Sequence, residues 1–250
     1  KADSMVMGTS VQWYADDMGV ASSFPSCPWA LKFNEATYRP IKRGDWDWEV
    51  GLTRDQVNEI EYIRDYALLS VFGNWDYLKN KSLRKYEFYT YKLQWVAYIG
   101  GKRASRRLLG DVILTEHDIL EGKKFDDASF TTTWGMDLHY PKKLKGFEGE
   151  PFLSYCEVQK HEPYACPYRC LYSRNIDNLF MAGRNISVTH AALGTVRVMR
   201  TTGMMGEIVG MATSICKNNN ALPRDVYTTY LNDLKSLMEK GVGTRGFKVE

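Results

Sequence analysis

The feature that most constrains this chain is a strand pattern that passes through a polar loop into a glycine-rich helix pattern. The apolar run 179–182 ends at Gly183 and Arg184, and a helix-like stretch follows from residue 194 to residue 216. A strand, a tight turn and a helix start direct backbone N–H groups at one place, where a large anionic ligand can be approached closely. The pattern therefore predicts a ligand loop, defined here as residues 183–197.

The helix pattern after this loop has one nearly bare face. Gly203, Gly206 and Gly210 follow one another at spacings of three and four, and Ser214 is four residues further on. A glycine inside a helix costs up to ~1 kcal/mol relative to alanine. Three glycines on one helix face therefore predict close packing against a sheet or a cofactor. The alternative is tight packing against another helix without a ligand.

Composition bounds the class of protein. The chain has 250 residues, of which 44% are hydrophobic and 25% charged, so it can bury a sizeable core. A formal net charge of +3 gives no reason to expect nucleic acid or an anionic membrane as a partner. Most of the 16 tyrosines and 7 tryptophans precede residue 173, which fits a domain that presents amphipathic surfaces to a ligand.

The cysteines do not form a recognisable framework. Their number is odd and they are widely spaced, so we do not expect a disulfide-stapled module. Cys156, His161, Cys166 and Cys170 lack the CxxC spacing of a zinc site, so we expect separate thiols and no metal.

No signal peptide or membrane span is expected from the sequence. The stretch 199–216 is fairly apolar, but it carries Arg200 and Glu207, which is typical of a buried helix.

Periodicity predicts the following elements. We expect strands near residues 7–16, 93–99 and 108–114, a helix over 53–81 with a capping box at Thr53 and Gln56, and a short helix after Thr115. Residues 134–141 are expected to be extended, 142–164 to be an irregular hairpin or loop, and about 224–240 to be the last helix.

Four stretches resemble one known family. They are the run 167–199, the segment Gly-Lys-Arg-Ala-Ser-Arg-Arg-Leu-Leu-Gly-Asp at 101–111, Asp-Leu-His-Tyr-Pro at 137–141, and Trp-Asp-Trp-Glu at 46–49. Together they resemble the FAD-dependent oxidoreductases with a glutathione-reductase-type FAD domain, over most of the chain. Some members of that family carry a xanthan lyase label, but these residues form no recognisable lyase constellation.

The resemblance implies an α+β and α/β fold in three parts. Residues 1–170 would be a substrate (cap) domain, 171–216 the C-terminal return segment of a Rossmann-like FAD-binding domain, and 217–250 a C-terminal helix and tail. The N-terminal βαβ unit of such a domain, with its GxGxxG motif, is missing from the sequence and is expected upstream of Lys1. The chain is thus expected to be a fragment, inactive and weak in FAD binding by itself, and its compartment and oligomeric state stay open.

One literal GxGxxG occurs at residues 241–246, but it does not fit a dinucleotide site. It follows a helix pattern instead of a strand, and only four residues remain after it for a phosphate-binding helix.

The resemblance places the FAD contacts in the ligand loop. The residues it implies are Gly183, Arg184, Asn185, Gly194, Thr195 and Arg197. Each arginine can place charge near the pyrophosphate or the reduced flavin ring, and the alternative for each is a structural ion pair. The sequon at 185–187 is a poor glycosylation acceptor if the loop lies under a cofactor.

Two histidines compete for proton transfer. The expected reaction moves a hydride from a small hydroxylated, sugar-like substrate to flavin N5, and it needs a base for the hydroxyl proton. His139 lies in the segment that resembles a substrate-side strand, and His190 lies in the ligand loop. Both are candidates, and we favour His139 as the base.

Further residues are candidates for substrate binding. They are Trp46 and Trp48, which could stack on a sugar ring or fill the core, and Arg103, Arg106 and Arg107, which could bind substrate oxygens or form a solvated face. The partners expected are the small-molecule substrate and the missing N-terminal segment. Two other functions stay open, a non-catalytic binding module on a flavoprotein scaffold and a polysaccharide lyase.

Overall fold

A computed structural model describes residues 5–242, and the chain divides into two compact units. Unit 1 comprises the described residues of Lys1–Ser105 together with His139–Glu157, and unit 2 comprises Arg106–Leu138 and the described residues from Val158 on. These bounds do not coincide with the predicted limits at 170/171 and 216/217. The functional roles given to those domains stay predictions.

Unit 1 is built from short antiparallel strands and one long helix. Its elements are β1 (Thr9–Ser10), β2 (Trp13–Asp17), β3 (Arg43–Gly44), β4 (Glu49–Val50), α1 (Ile60–Asn80), a 3-10 helix (Lys85–Phe88), β5 (Tyr91–Val96) and β6 (Gly101–Lys102). They form two three-stranded sheets with the orders β4-β1-β6 and β3-β2-β5.

The core of unit 1 is aromatic. Trp13, Trp48, Trp75 and Phe152 are almost fully buried, and Trp13 meets both other tryptophan rings edge-on at 5.3 and 5.9 Å. The buried face of α1 closes this core. Such edge-to-face contacts add to the free energy gained by burying the rings.

The start of α1 differs from the prediction. The helix begins at Ile60, seven residues after Thr53, and its N-cap Glu59 makes no side-chain cap. Gln56 instead accepts a hydrogen bond from Thr9 Oγ1 at 2.7 Å and donates to the carbonyl of Gly51. The predicted capping box is wrong, because the tertiary contact with β1 uses the glutamine that the box would need.

Unit 2 combines a two-stranded sheet with five helices among its described residues. Its elements are α2 (Glu116–Leu120), β7 (Ala128–Thr132), β10 (Tyr164–Pro167), a 3-10 helix (Tyr168–Cys170), α3 (His190–Val196), α4 (Met199–Asn219), α5 (Pro223–Thr228) and α6 (Leu231–Lys240). β7 and β10 pair antiparallel. The remaining strands, β8 (Met136–Lys142) and β9 (Leu153–Gln159), form a two-stranded sheet in which each strand crosses a unit boundary.

Several predicted elements are confirmed. β5 overlaps the strand predicted at 93–99 and begins two residues earlier, α2 begins after Thr115, and the stretch predicted to be extended at 134–141 forms β8 from residue 136 on. β9 is a regular strand of seven residues in the region predicted to be irregular.

The strands predicted at 108–114 and 179–182 are wrong. Only isolated bridges form there, a parallel one between Leu114 and Val188 and an antiparallel one between Tyr172 and Phe180. The helix pattern from 194 to 216 is divided between α3 and α4, and the pattern from 224 to 240 between α5 and α6. Residues 197 and 198 interrupt the first pattern, and the extended ψ of 150° at Val198 explains the break.

Other absences concern the described part of the chain. Between residues 5 and 242, no helix is long and apolar enough to cross a membrane, and no group of three or more His, Cys, Asp or Glu side chains could hold a metal ion. All five cysteines are free thiols. The motif at 241–246 lies mostly outside the described residues.

Candidate functional site

Unit 1 contains a buried cluster of charged and polar side chains around Glu49, which we name the Glu49 cluster (Glu49, Arg103, His139 and Ser154). The carboxylate of Glu49 is fully buried, and His139 is 3% exposed. Oε2 of Glu49 lies 2.6 Å from Nδ1 of His139 and accepts a hydrogen bond from Ser154 Oγ at 2.6 Å. Nη1 of Arg103 lies 3.2 Å from Oε1 of the same carboxylate. A buried carboxylate needs such partners, because its desolvation is otherwise very costly.

The secondary structure brings these four side chains together from distant parts of the sequence. Glu49 lies on β4, where it pairs with Ser10 of β1, while His139 and Ser154 lie on β8 and β9. Gly8 makes room for the carboxylate, since a Cβ there would lie 2.8 Å from Cγ of Glu49.

Arg103 is held in place by neighbouring oxygen atoms. It donates from Nη1 to Ser10 Oγ at 2.7 Å and from Nη2 to the carbonyl of Trp46 at 3.3 Å. Its side chain is only 14% exposed. Arg103 is therefore part of a buried ion pair. The expected Arg-rich group is divided, since Arg106 and Arg107 belong to unit 2 and Arg106 is exposed.

The two tryptophans predicted to bind substrate have different environments. Trp48 is fully buried, donates from Nε1 to Ser70 Oγ at 2.9 Å and packs on Phe152, which leaves no ring face for a sugar. Trp46 is 44% exposed, and its ring centroid lies 5.2 Å from that of His139. Trp48 is a core residue, and Trp46 is the one that offers an accessible ring beside the Glu49 cluster.

The first half of the ligand loop presents exposed groups in unit 2. Gly183 has a φ of +127°, a region that L side chains rarely adopt. Arg184 and Asn185 are exposed. A guanidinium and an amide are donor groups that suit phosphate and carbonyl oxygens.

The second half of the ligand loop is engaged by protein. A Cβ at Gly194 would lie 3.0 Å from N and 3.1 Å from O of Asp137, so the missing side chain makes room for β8. The buried hydroxyl of Thr195 lies 2.7 Å from Thr132 Oγ1 and also donates to the carbonyl of Trp134.

Arg197, in the same half, forms a largely buried ion pair. Its Nη2 lies 2.7 Å from Oδ2 of Asp137, and the two side chains are 12% and 13% exposed. This is the structural ion pair that the sequence analysis left as an alternative. The role of Gly194, Thr195 and Arg197 in binding a cofactor stays a prediction, and their observed contacts are with protein.

His190 is the first residue of α3 and is partly buried. The preceding Thr189 caps this helix by accepting from the N–H of Ala192 and donates to Glu116 Oε2 at 2.7 Å. Ser187, three residues before His190 in the sequence, is fully buried, and its Oγ has no hydrogen-bond partner among residues 5–242.

The glycine face of α4 is open in unit 2. Gly203, Gly206 and Gly210 are exposed, and a Cβ at any of them would meet no described atom within 4 Å. The predicted close packing against this face is therefore not provided by the described residues. Met199, at the start of the same helix, is 91% exposed.

Sequence reasoning missed Glu49 and Ser154 as site residues. Glu49 ends the segment Trp-Asp-Trp-Glu, which was singled out for its tryptophans. A glutamate directly after a core tryptophan in a strand pattern was the available signal, but its partner lies 90 residues away in sequence.

These observations define a mixed α/β protein with six α-helices and small sheets among its described residues, a buried acid–base cluster and an exposed donor loop. A family model described as FAD dependent oxidoreductase matches residues 19–238. The chain belongs to this family, is an oxidoreductase at that coarse level, and uses FAD as its cofactor. No curated protein and no solved structure matches it.

The donor chemistry of the ligand loop fits FAD. The exposed Arg184 and Asn185 supply positive charge and amide donors directly after Gly183, whose positive φ requires glycine. These residues would hold oxygens of the cofactor. The fold is compatible with an FAD-binding domain.

Proposed function

We propose that this chain is the substrate-side part of an FAD-dependent oxidoreductase that oxidises a small hydroxylated, sugar-like substrate to a carbonyl compound. The single observation that carries the proposal is the pairing of His139 with Glu49 at 2.6 Å beside the accessible ring of Trp46. An imidazole held by a carboxylate is a competent base for a hydroxyl proton.

The proposed reaction balances as a two-electron oxidation. The hydroxyl proton goes to His139, the C–H bond breaks, and its hydrogen leaves with both electrons while the C–O bond becomes a carbonyl. FAD, when bound, supplies the acceptor for that hydride at N5. Trp46 would support the sugar-like substrate by stacking, since its ring is accessible and Trp48 is not.

We further propose that a βαβ unit upstream of Lys1 completes the FAD site. The open glycine face of α4 and the buried Ser187 Oγ, which has no partner in the described chain, support a missing neighbour in unit 2. A backbone packed on Gly203, Gly206 and Gly210 would explain why three glycines occur at a cost in helix stability.

The proposal is tested with the chain together with the proposed upstream unit, which we call the full-length protein. It is loaded with FAD and mixed anaerobically with separate polyols, aldoses and uronic acids. Loss of the visible flavin absorbance with one of these probes, together with formation of its carbonyl product, is the expected result. If the flavin stays oxidised with all of them while a uronate polymer gains unsaturated ends, the lyase alternative replaces this proposal. A protein that binds the probes without either change is a binding module.

A further inference from the structure

We propose that Glu49 is a positioning residue that holds His139 with its proton on Nδ1, so that Nε2 is the nitrogen that accepts the substrate proton. This inference rests on the proposed function, because it presumes that His139 is the base. It assigns a role to a residue that the sequence analysis did not place in the site.

Glu49 is surrounded by a guanidinium and a hydroxyl donor. The carboxylate is fully buried, and Arg103 lies 3.2 Å from Oε1. Ser154 donates a hydrogen bond to Oε2. Both contacts therefore direct N–H or O–H groups at the carboxylate, since a guanidinium has no acceptor atom and the Ser154 hydroxyl donates to Oε2.

The hydrogen bond between Glu49 and His139 has a direction that follows from these contacts. A carboxylate that accepts from Ser154 and faces a guanidinium acts as an acceptor toward His139 as well, so we assign the Nδ1 atom at 2.6 Å as the donor. The neutral ring then carries its lone pair on Nε2. The same carboxylate stabilises the imidazolium that forms when Nε2 takes a proton, as in the aspartate–histidine pair of serine proteases.

Strand register and neighbouring oxygen atoms hold Glu49 and Arg103 in place. The strand pair β1 and β4 holds Glu49 in register, and the space for its side chain exists because residue 8 is glycine. Arg103 is anchored to Ser10 and to the carbonyl of Trp46. A buried ionic cluster is weak evidence for stability, since apolar residues of the same volume often serve as well. Its position beside an accessible tryptophan therefore favours a role in chemistry.

The inference is tested with Glu49→Gln, which preserves shape and removes the charge. The tautomer of His139 is read from the ¹⁵N shifts of the histidine-labelled, FAD-loaded full-length protein, with His139→Gln to assign the signal. We expect protonated Nδ1 in the wild type and loss of this preference in the variant.

Turnover of the Glu49→Gln variant should fall by roughly 10²–10⁴-fold. The acidic limb of the pH–rate profile should move to lower pH, because the neutral base forms more readily without the carboxylate. Glu148→Gln, an exposed glutamate of unit 1, is the matched control and should change neither readout.

The outcomes separate this inference from the proposed function. An unchanged His139 tautomer in folded Glu49→Gln overturns the positioning role, whatever His139→Ala does to turnover. A changed tautomer supports it, and if His139→Ala then keeps full turnover, only the assignment of the base fails. Should Glu49→Gln not fold, Ser154→Ala replaces it. That variant removes one donor to Oε2 and should move the acidic limb to higher pH without changing the tautomer, while an unmoved limb counts against the inference.

Discussion

The Glu49 cluster of unit 1 and the ligand loop of unit 2 are both polar, but the cluster lies in the interior of its unit, whereas the loop carries exposed side chains. In the cluster, an imidazole, a guanidinium and a hydroxyl each lie within 3.2 Å of one buried carboxylate. In the ligand loop, Arg184 and Asn185 are exposed, and the hydroxyl of Ser187 is buried without a partner among residues 5–242.

The difference indicates which part of the chemistry this chain builds by itself. The side chains of the Glu49 cluster surround the carboxylate inside unit 1, where Oε1 has an ion pair with Arg103 but no hydrogen-bond partner among residues 5–242. The ligand loop has exposed side chains on one half and buried contacts with protein on the other, and the glycine face of α4 is open. This contrast agrees with our proposal that acid–base chemistry is assembled inside the chain while the cofactor site is completed by another segment.

The largest expected effect concerns the base. His139→Ala should lower turnover of the full-length protein by roughly 10²–10⁴-fold while the FAD content stays normal, because a positioned base is lost and the ligand loop is untouched. Steady-state kinetics and flavin absorbance measure the two quantities. His117→Ala, at an exposed histidine of unit 2, is the control. A loss with His190→Ala and none with His139→Ala would reverse the two roles.

The next effect tests the exposed half of the ligand loop. Arg184→Ala should weaken FAD binding by about 10–100-fold in the full-length protein, because a hydrogen bond from a charged donor is worth about 1.5–3 kcal/mol. Fluorescence titration of the apoprotein with FAD measures this affinity. Arg200→Ala, at an exposed arginine outside the loop, should change it little. Equal affinities for the two variants would remove Arg184 from the cofactor site.

The protein-packed half of the loop should respond through stability. Gly194→Val should lower the free energy of unfolding by about 1–3 kcal/mol, because its side chain would press on the backbone of Asp137. Urea unfolding of the chain measures the change. A variant of unchanged stability would show that β8 does not occupy this space.

The open face of α4 should respond with the opposite sign. Gly206→Ala should stabilise the chain by about 0.5–1 kcal/mol, because alanine is the better helix former and its Cβ meets no described atom within 4 Å. In the full-length protein the same substitution should destabilise, if the proposed upstream unit packs there. Thermal unfolding of both proteins gives the two signs, and stabilisation in both would leave the face uncovered.

The smallest effect is a pH dependence in unit 2. The Arg224 guanidinium, at 2.8 Å from Oδ2, holds the pKa of Asp111 below its ordinary value of 3.8, and Tyr172 adds a hydrogen bond. A carboxylate whose pKa is lower in the folded chain than in the unfolded chain stabilises the fold at pH values above its ordinary pKa. This stabilisation is lost as the pH falls through the pKa of the folded state. The melting temperature of Asp111→Asn should therefore lie below that of the wild type at neutral pH, by an amount equivalent to about 0.2–1 kcal/mol, and approach it in acid. A constant difference at all pH values would contradict this.

Sequence patterns predicted elements that depend on nearby residues well, but they predicted poorly where contacts between residues distant in sequence decide the structure. The short helix after Thr115 is predicted correctly, because the groups that cap it lie within the same turn. Thr53 was not one, because Gln56 is used by β1 instead. The family is recognisable from its motifs, whereas the ligand loop, which glycine spacing indicates, stays a prediction.

The Glu49 cluster could not be predicted as a unit. Glu49 meets His139 across 90 residues and Ser154 across 105 residues. Such pairs are decided by how β4, β8 and β9 come together, which depends on strand register and packing. The sequence offered His139 and Arg103 as separate candidates, and only the fold joins them through Glu49.

The contrast between the buried Glu49 cluster and the exposed half of the ligand loop is tested most directly by titrating FAD into two proteins by calorimetry. One is the 250-residue chain, and the other is the full-length protein stripped of its flavin. We expect stoichiometric, tight binding by the full-length protein and weak or no binding by the chain alone, because its ligand loop offers only part of the contacts. Stoichiometric, tight binding of FAD by the 250-residue chain would contradict this account.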